Sequence, residues 1–358
     1  MNLDLDEAAL AFRAEVRDWL AEHVPERSLE GHAEHREWER LLAGARLAAV
    51  GWPAEYGGRD APPLHQLLFE EEYHAAGAPM RIGQNGLFLL APTLLAHGTG
   101  EQKARILPPM GRAETVWAQA WSEPEAGSDL AAIHSRARRV DGGWRISGQK
   151  TWSSRAVVAD RAFGLFRSGE SRHRGLTYLM FDLRAPGVSV RPIRQIDGRH
   201  GFAEIFLDEV FVPDADVLGE PGDGWRVAMG TAGHERGVTL RSPGRFLAAA
   251  DRLVAAWNDA PDPALHDRVA DAWIGARAYR MHSYGPPASP SATKLFWSAL
   301  DVALHETALD LRGPYAEIDP EWTAGYLFAL AGPIYAGTDQ IQRDILAQRV
   351  LGLPRSTR

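Results

Sequence analysis

Apolar residues recur at four-residue intervals near the N-terminus, where Ala8, Phe12, Val16 and Leu20 predict one face of a helix. Leu41, Leu42 and Ala45 begin a second stripe of this kind. Gly51-Trp52-Pro53 and Gly57-Gly58 interrupt it as a loop, and helical spacing resumes over 64–74 and 86–97. From about Thr115 the texture changes. Segments 116–120, 137–140, 144–147, 163–166, 177–182, 188–192 and 203–207 are short, β-prone and separated by Gly, Asp and Pro, and Asp141-Gly142-Gly143 is a hairpin signal. After Gly222-Asp223-Gly224 a helical pattern returns and lasts to Leu353, weakened only over the polar stretch 257–267 and the proline-rich stretch 283–291. The pattern predicts an α+β chain of three parts: an N-terminal helical domain (1–113), a middle antiparallel β-barrel or sandwich domain (114–222) and a C-terminal helical bundle (223–358).

Composition narrows the function. A chain of 358 residues suits two or three packed subdomains rather than one small core. The formal charge of -8, with no Lys/Arg run, argues against a nucleic-acid surface, which needs a clustered basic face. Without cysteine there is neither a disulfide framework nor a thiolate site. The acidic start Met1-Asn2-Leu3-Asp4-Leu5-Asp6 is unlike a signal peptide, and no apolar stretch is long enough to span a bilayer, so a soluble cytoplasmic protein with no membrane partner is expected. His32 and His35 have a spacing that could hold a metal on a helix, but no third ligand is apparent and no metal is expected.

One segment carries candidate chemistry by itself. Trp121-Ser122-Glu123-Pro124-Glu125-Ala126-Gly127-Ser128-Asp129 runs from a strand into a turn of small residues. Gly and Ser let backbone N–H groups approach an anion, a cradle for a phosphate-bearing cofactor; a plain strand-to-turn exit reads equally well from these nine residues.

The company of that segment separates the two. It resembles the flavin-binding signature of the acyl-CoA dehydrogenases, and four other segments resemble the same family in the same order. These are Gly51-Trp52-Pro53-Ala54-Glu55-Tyr56-Gly57-Gly58, His97-Gly98-Thr99-Gly100-Glu101-Gln102-Lys103, Gly148-Gln149-Lys150-Thr151-Trp152-Ser153-Ser154 and Ile334-Tyr335-Ala336-Gly337-Thr338-Asp339-Gln340-Ile341-Gln342-Arg343. The resemblance implies a C-terminal four-helix bundle, bound FAD and α,β-dehydrogenation of an acyl-CoA thioester. A carboxylate takes the α-proton while a hydride leaves Cβ for flavin N5, and electron-transferring flavoprotein is the implied acceptor. It implies flavin contacts from Ala120, Trp121 and Ser122, a pyrophosphate turn at Gly127 and Ser128, an aromatic at Trp152, a hydroxyl at Ser154, and further FAD contacts from Thr338 and Gln340. The backbone at Ala336 and Gly337 is the implied binder of the thioester oxygen.

Many family members carry glutamate where this chain has Ala336, which has no titratable atom. Others place the base on the helix entering the C-terminal bundle, here 224–237, and registering that helix on Gly224 and Arg236 makes Glu235 the base. Its helical neighbours Ala228, Thr231, Ala232, Val238, Thr239 and Ser242 form a small, mildly apolar face, although a surface glutamate paired with Arg236 fits the same wheel. The family's later FAD contacts are thinned, to Arg245-Phe246 and to Leu311-Arg312-Gly313-Pro314. The motif variants and the ending Leu351-Gly352-Leu353-Pro354 are most similar to bacterial members acting on bulky or branched CoA thioesters, as in steroid side-chain degradation. A homo- or hetero-oligomer is implied. The rival reading is a non-catalytic subunit that completes a partner's FAD site, and an oxidase on the same fold is a third.

Overall fold

The structure, a computed structural model, describes residues 4–236, 242–285 and 289–354. Its helices are α1 (Glu7–His23), α2 (Gly31–Gly44), α3 (Pro63–Ala75), α4 (Ala91–His97), α5 (Gly100–Gly111), α6 (Gly224–Arg236), α7 (Pro243–Asp259), α8 (His266–Tyr284), α9 (Pro290–Arg312), α10 (Pro320–Ala329) and α11 (Asp339–Ile345). Its strands are β1 (Trp117–Ala120), β2 (Arg136–Val140), β3 (Gly143–Ser154), β4 (Arg161–Arg167), β5 (Leu176–Asp182), β6 (Val188–Ile193) and β7 (Phe202–Pro213).

Local signals decide many of the element ends. Asp6 caps α1 by accepting the Ala9 N–H at 2.8 Å. The buried stripe is Ala9, Phe12, Val16 and Leu20, while Ala8 is exposed. Steps of four residues overshoot a 3.6-residue turn, so the stripe needs the one three-residue step that Ala9 supplies. In α2 the apolar pair closes the helix instead of opening one: Leu42 is buried and Leu41 exposed just before the end at Gly44. Thr99 and Gln102 form a reciprocal capping box that starts α5. The β2–β3 hairpin turns at Asp141-Gly142, where Gly142 takes the positive φ of 68° that a tight turn needs.

The described chain forms two compact units. The first contains Met1–Glu26, Pro62–Ala78 and Glu235–Arg358. There α3 packs on α1 and α7, and α9 packs on α8, α10 and α11. Phe246, Leu253, Tyr279, Trp297 and Leu304 lie at its core.

The second unit contains Arg27–Ala61 and Pro79–His234. Its sheet runs β1-β4-β2-β3-β7-β6, with β5 on β4, and buries Ile146, Phe166, Leu179, Phe181 and Ile205. The expected sheet was antiparallel; this one is mixed. β1 pairs with β4 in parallel, and β2 meets β4 in parallel at Arg136 and Arg167. The long connection between β1 and β2 leaves room for β4 to lie beside both, whereas a tight hairpin would have forced β1 and β2 together. The N-terminus of α6 lies directly on β5: a Cβ added at Gly224 would stand 2.7 Å from Tyr178 N.

Candidate active site

In the second unit, the flavin-type signature leaves β1 at the buried Trp121, and the half-buried Ser122 accepts the Thr151 N–H at 2.9 Å. Glu123 and Ala126 exchange backbone hydrogen bonds of 3.0 and 3.1 Å around Pro124-Glu125. The chain then reaches Gly127 and Ser128, both exposed, and nothing stands within 4 Å of where a Cβ on Gly127 would be. Ala120 is buried and pairs with Gly164 of β4.

Opposite this exit, β3 slips its register on β7 between Lys150 and Ser153. The bulge drives Trp152 to φ 55°, a left-handed conformation that costs a non-glycine residue about 1–3 kcal/mol and persists only where its surroundings impose it. Its indole is 59 % exposed and meets Phe202 edge-on at 6.0 Å. Ser154, half-buried, gives its carbonyl to Asn85 Nδ2 at 3.2 Å.

Beneath the two segments lies a group that the sequence reading missed. Lys150 Nζ donates to Glu123 Oε1 at 2.8 Å, Leu165 O at 2.7 Å and Trp121 O at 3.3 Å. Glu123 also accepts the N–H groups of His134 at 2.5 Å and Ser135 at 3.0 Å. Burial pulls the Lys150 ammonium down to about 8 against the pull of Glu123. Burial works to raise Glu123, but Lys150 and the His134 N–H hold it below the usual carboxylate range. Both residues stand inside motifs quoted above, Glu123 in 121–129 and Lys150 in 148–154, but no local pattern pairs them across 27 positions.

In the first unit, Glu235 is half-buried in the last described turn of α6. On its helix Ala228, Thr231 and Ala232 are buried, as the wheel requires; Val238 and Thr239 lie outside the described residues. His234 is exposed. Arg236 Nε donates to Ala336 O at 2.9 Å, so the end of α6 and the C-terminal signature meet. Ala336 and Gly337 are consecutive left-handed residues at φ 55° and 81°. Gln342 Nε2 ties both carbonyls, at 3.1 and 3.3 Å. The Ala336 N–H has no hydrogen-bond partner among the described residues. Thr338 caps α11, accepting the Ile341 N–H at 3.3 Å, and Gln340 is exposed. The sequence alone gives Arg236 and Gln342 no role toward Ala336, because their partners are backbone carbonyls that no sequence pattern marks.

Three family models cover nearly all of this architecture: acyl-CoA dehydrogenase N-terminal domain at 6–114, middle domain at 118–210 and C-terminal domain at 222–351. The chain belongs to the acyl-CoA dehydrogenase family. It is thereby an oxidoreductase acting on acyl-CoA, and the family is FAD-dependent. Among its relatives is acyl-CoA dehydrogenase IpdE1 of Mycobacterium tuberculosis, 41% identical over 97% of this chain and 98% of the relative. Among solved structures, the Tcur3481-Tcur3483 steroid ACAD matches with TM-score 0.88 at 25% identity, over 99% of this chain and 100% of the other. The ChsE4-ChsE5 complex from Mycobacterium tuberculosis matches with TM-score 0.88 at 26% identity over the whole of both chains.

Within this acyl-CoA dehydrogenase, Arg245 is occupied internally. Its Nη2 meets Asp301 Oδ2 at 2.6 Å, and its guanidinium stacks on Phe246 and Phe328. His35 Nδ1 lies 2.9 Å from Met80 O. Among the described residues no group of three potential ligands could hold a metal ion, and no helix is long and apolar enough to cross a membrane.

Proposed function

We propose that this chain catalyses α,β-dehydrogenation of an acyl-CoA to the trans-2-enoyl-CoA, with Glu235 as the base that takes the α-proton. The observation that carries the reading is the bond from Arg236 to the Ala336 carbonyl. It brings the helix turn bearing Glu235 beside the signature position where many members carry their glutamate and this chain has alanine. The half-buried Glu235 carboxylate stands on a helix face of small residues, where a substrate carbon can approach it. The Ala336 N–H, without a hydrogen-bond partner among the described residues and held in a left-handed pair, suits a thioester oxygen that gains enolate-like charge.

The residues present fit FAD. Trp152 is a large exposed aromatic on strained backbone, the buried Trp121 Nε1 has no partner among the described residues, and Gly127-Ser128 is an open turn of small residues. Ala120, Trp121, Ser122, Gly127, Ser128, Trp152 and Ser154 would hold the cofactor, with Thr338 and Gln340 adding contacts. FAD, when bound, supplies the acceptor for the hydride that leaves Cβ. Glu235 meanwhile receives the Cα proton on a carboxylate oxygen, and the Ala336 and Gly337 backbone orients the thioester.

The domains we assign are 1–113, 114–222 and 223–358, and the acceptor is electron-transferring flavoprotein. A bulky or branched acyl group, of steroid side-chain type, is supported by the likeness to the steroid ACAD named above, and an oligomer by the likeness to the ChsE4-ChsE5 complex. The test is Glu235→Gln, purified with FAD and mixed anaerobically with acyl-CoA substrates that bleach the wild type. A flavin that stays yellow is expected; wild-type bleaching removes Glu235 from the mechanism. A soluble wild type that takes up no FAD even when supplied favours the non-catalytic subunit instead.

A further inference from the structure

We propose that Lys150 and Glu123 are positioning residues, a buried ion pair that sets the flavin-contacting Trp121–Ser122 segment against Trp152. The inference rests on the FAD reading above. β1 and β3 are not neighbours in the sheet: β1 pairs with β4, and β3 with β2 and β7. No ladder therefore sets the spacing of these two segments. β1 and β3 pack against each other, and the hydrogen bonds that join the two segments among the described residues are Thr151 N–H to Ser122 O and those of the Lys150 ammonium to Trp121 O and Glu123.

An ammonium has three donors, and each is used here: on the Glu123 carboxylate, on Leu165 O of β4 and on Trp121 O at the exit from β1. The Phe166 ring lies 4.9 Å from Nζ. Glu123 continues the link through the N–H groups of His134 and Ser135, which lead into β2. One wholly buried cation thus joins the exit from β1, the strand before Trp152, β4 and the approach to β2.

Stability alone does not call for such a pair, since well-packed apolar residues of similar volume commonly serve as well or better. Directional bonds to two carbonyls and a carboxylate do what apolar packing does not: they hold backbone positions to the tolerance that a rigid cofactor demands. Glu123 follows Ser122 directly in the chain, Lys150 stands two residues before Trp152, and the ammonium bonds Trp121 O, so the pair ties together the segments where that tolerance is needed.

The test uses the full chain purified with FAD, comparing wild type, Lys150→Met, Glu123→Gln and Ile146→Ala. Ile146 is buried in the core of the same sheet and has no polar side-chain atom, so its variant reports loss of stability without removing a hydrogen bond. The measurements are FAD affinity, visible circular dichroism of the bound flavin and the thermal midpoint. Lys150→Met is expected to weaken FAD on the order of tenfold and to alter the dichroism of the flavin it retains. Glu123→Gln, which keeps the shape and an acceptor, should shift both in the same direction by less. Ile146→Ala should lower the midpoint yet bind FAD with the wild-type spectrum.

Wild-type affinity and spectrum in Lys150→Met overturn the inference whatever its midpoint. If that variant does not fold, an unchanged spectrum in Glu123→Gln overturns it equally. An altered spectrum in Ile146→Ala matching that of Glu123→Gln also overturns it, because destabilisation alone would then explain the effect. A wild type that binds no FAD overturns the functional reading together with this one.

Discussion

Replacing Gly224 by alanine tests how α6 is seated. The added Cβ would stand 2.7 Å from Thr177 C and Tyr178 N and 2.8 Å from Leu176 O. Ordinary contact begins near 3.4 Å, so helix and strand must part by 3.4 − 2.7, about 0.7 Å. β5 is buried along Leu176–Phe181 and cannot retreat into solvent. Overpacking of this kind costs about 1–3 kcal/mol, and the better helix propensity of alanine returns less than about 1 kcal/mol. Gly233 lies on the same helix with nothing within 4 Å of its added Cβ, so Gly233→Ala is expected to stabilise by up to about 1 kcal/mol. Urea unfolding followed by tryptophan fluorescence gives both differences on one scale. Because α6 also carries Glu235, a shift of several tenths of an ångström should reduce turnover of Gly224→Ala more than its stability loss explains, as a 1 Å misplacement costs on the order of a hundredfold. A Gly224→Ala protein as stable and active as wild type, or a Gly233→Ala protein that is the less stable of the two, refutes this account of the packing.

Three further outcomes follow from the geometry. Burial alone would raise the Glu72 carboxyl, but Arg17 and Arg13 hold it below its ordinary 4.5, as Lys150 does for Glu123. The unfolded chain then binds these protons more readily, so their stabilisation is complete above pH 4.5 and falls as acid drives the pH through the lower folded values. A thermal midpoint that declines on acidification below that pH is expected, and one that rises contradicts the pairing. Trp152→Ala removes a side chain that is 59 % exposed, so unfolding free energy should stay within about 0.5 kcal/mol while flavin retention falls; the reverse pattern would make Trp152 a structural residue. Lys294→Met leaves the half-buried Asp339 carboxylate without its ammonium and should cost about 3–5 kcal/mol in denaturant unfolding, partly recovered when Asp339→Asn is added.

The sequence by itself determined what depends on a few consecutive residues. The alternation of helical and β texture and the Asp141-Gly142 turn are short-range patterns, and each appears in the fold. The five motifs identified the family for the same reason, since a backbone cradle or a signature turn is written in adjacent residues. Tertiary structure decided the rest. The phase of α1 turned on which alanine the Asp6 cap admits to the stripe. The parallel seat of β4 beside β1, the Lys150–Glu123 pair across 27 positions and the Arg236–Ala336 bond across 100 positions each join segments that share no local pattern. Periodicity reports which face of an element is apolar but not which partner that face meets. A buried charge finds its counter-ion only when the chain has closed and water has been excluded, and there the support of the proposed flavin site was set.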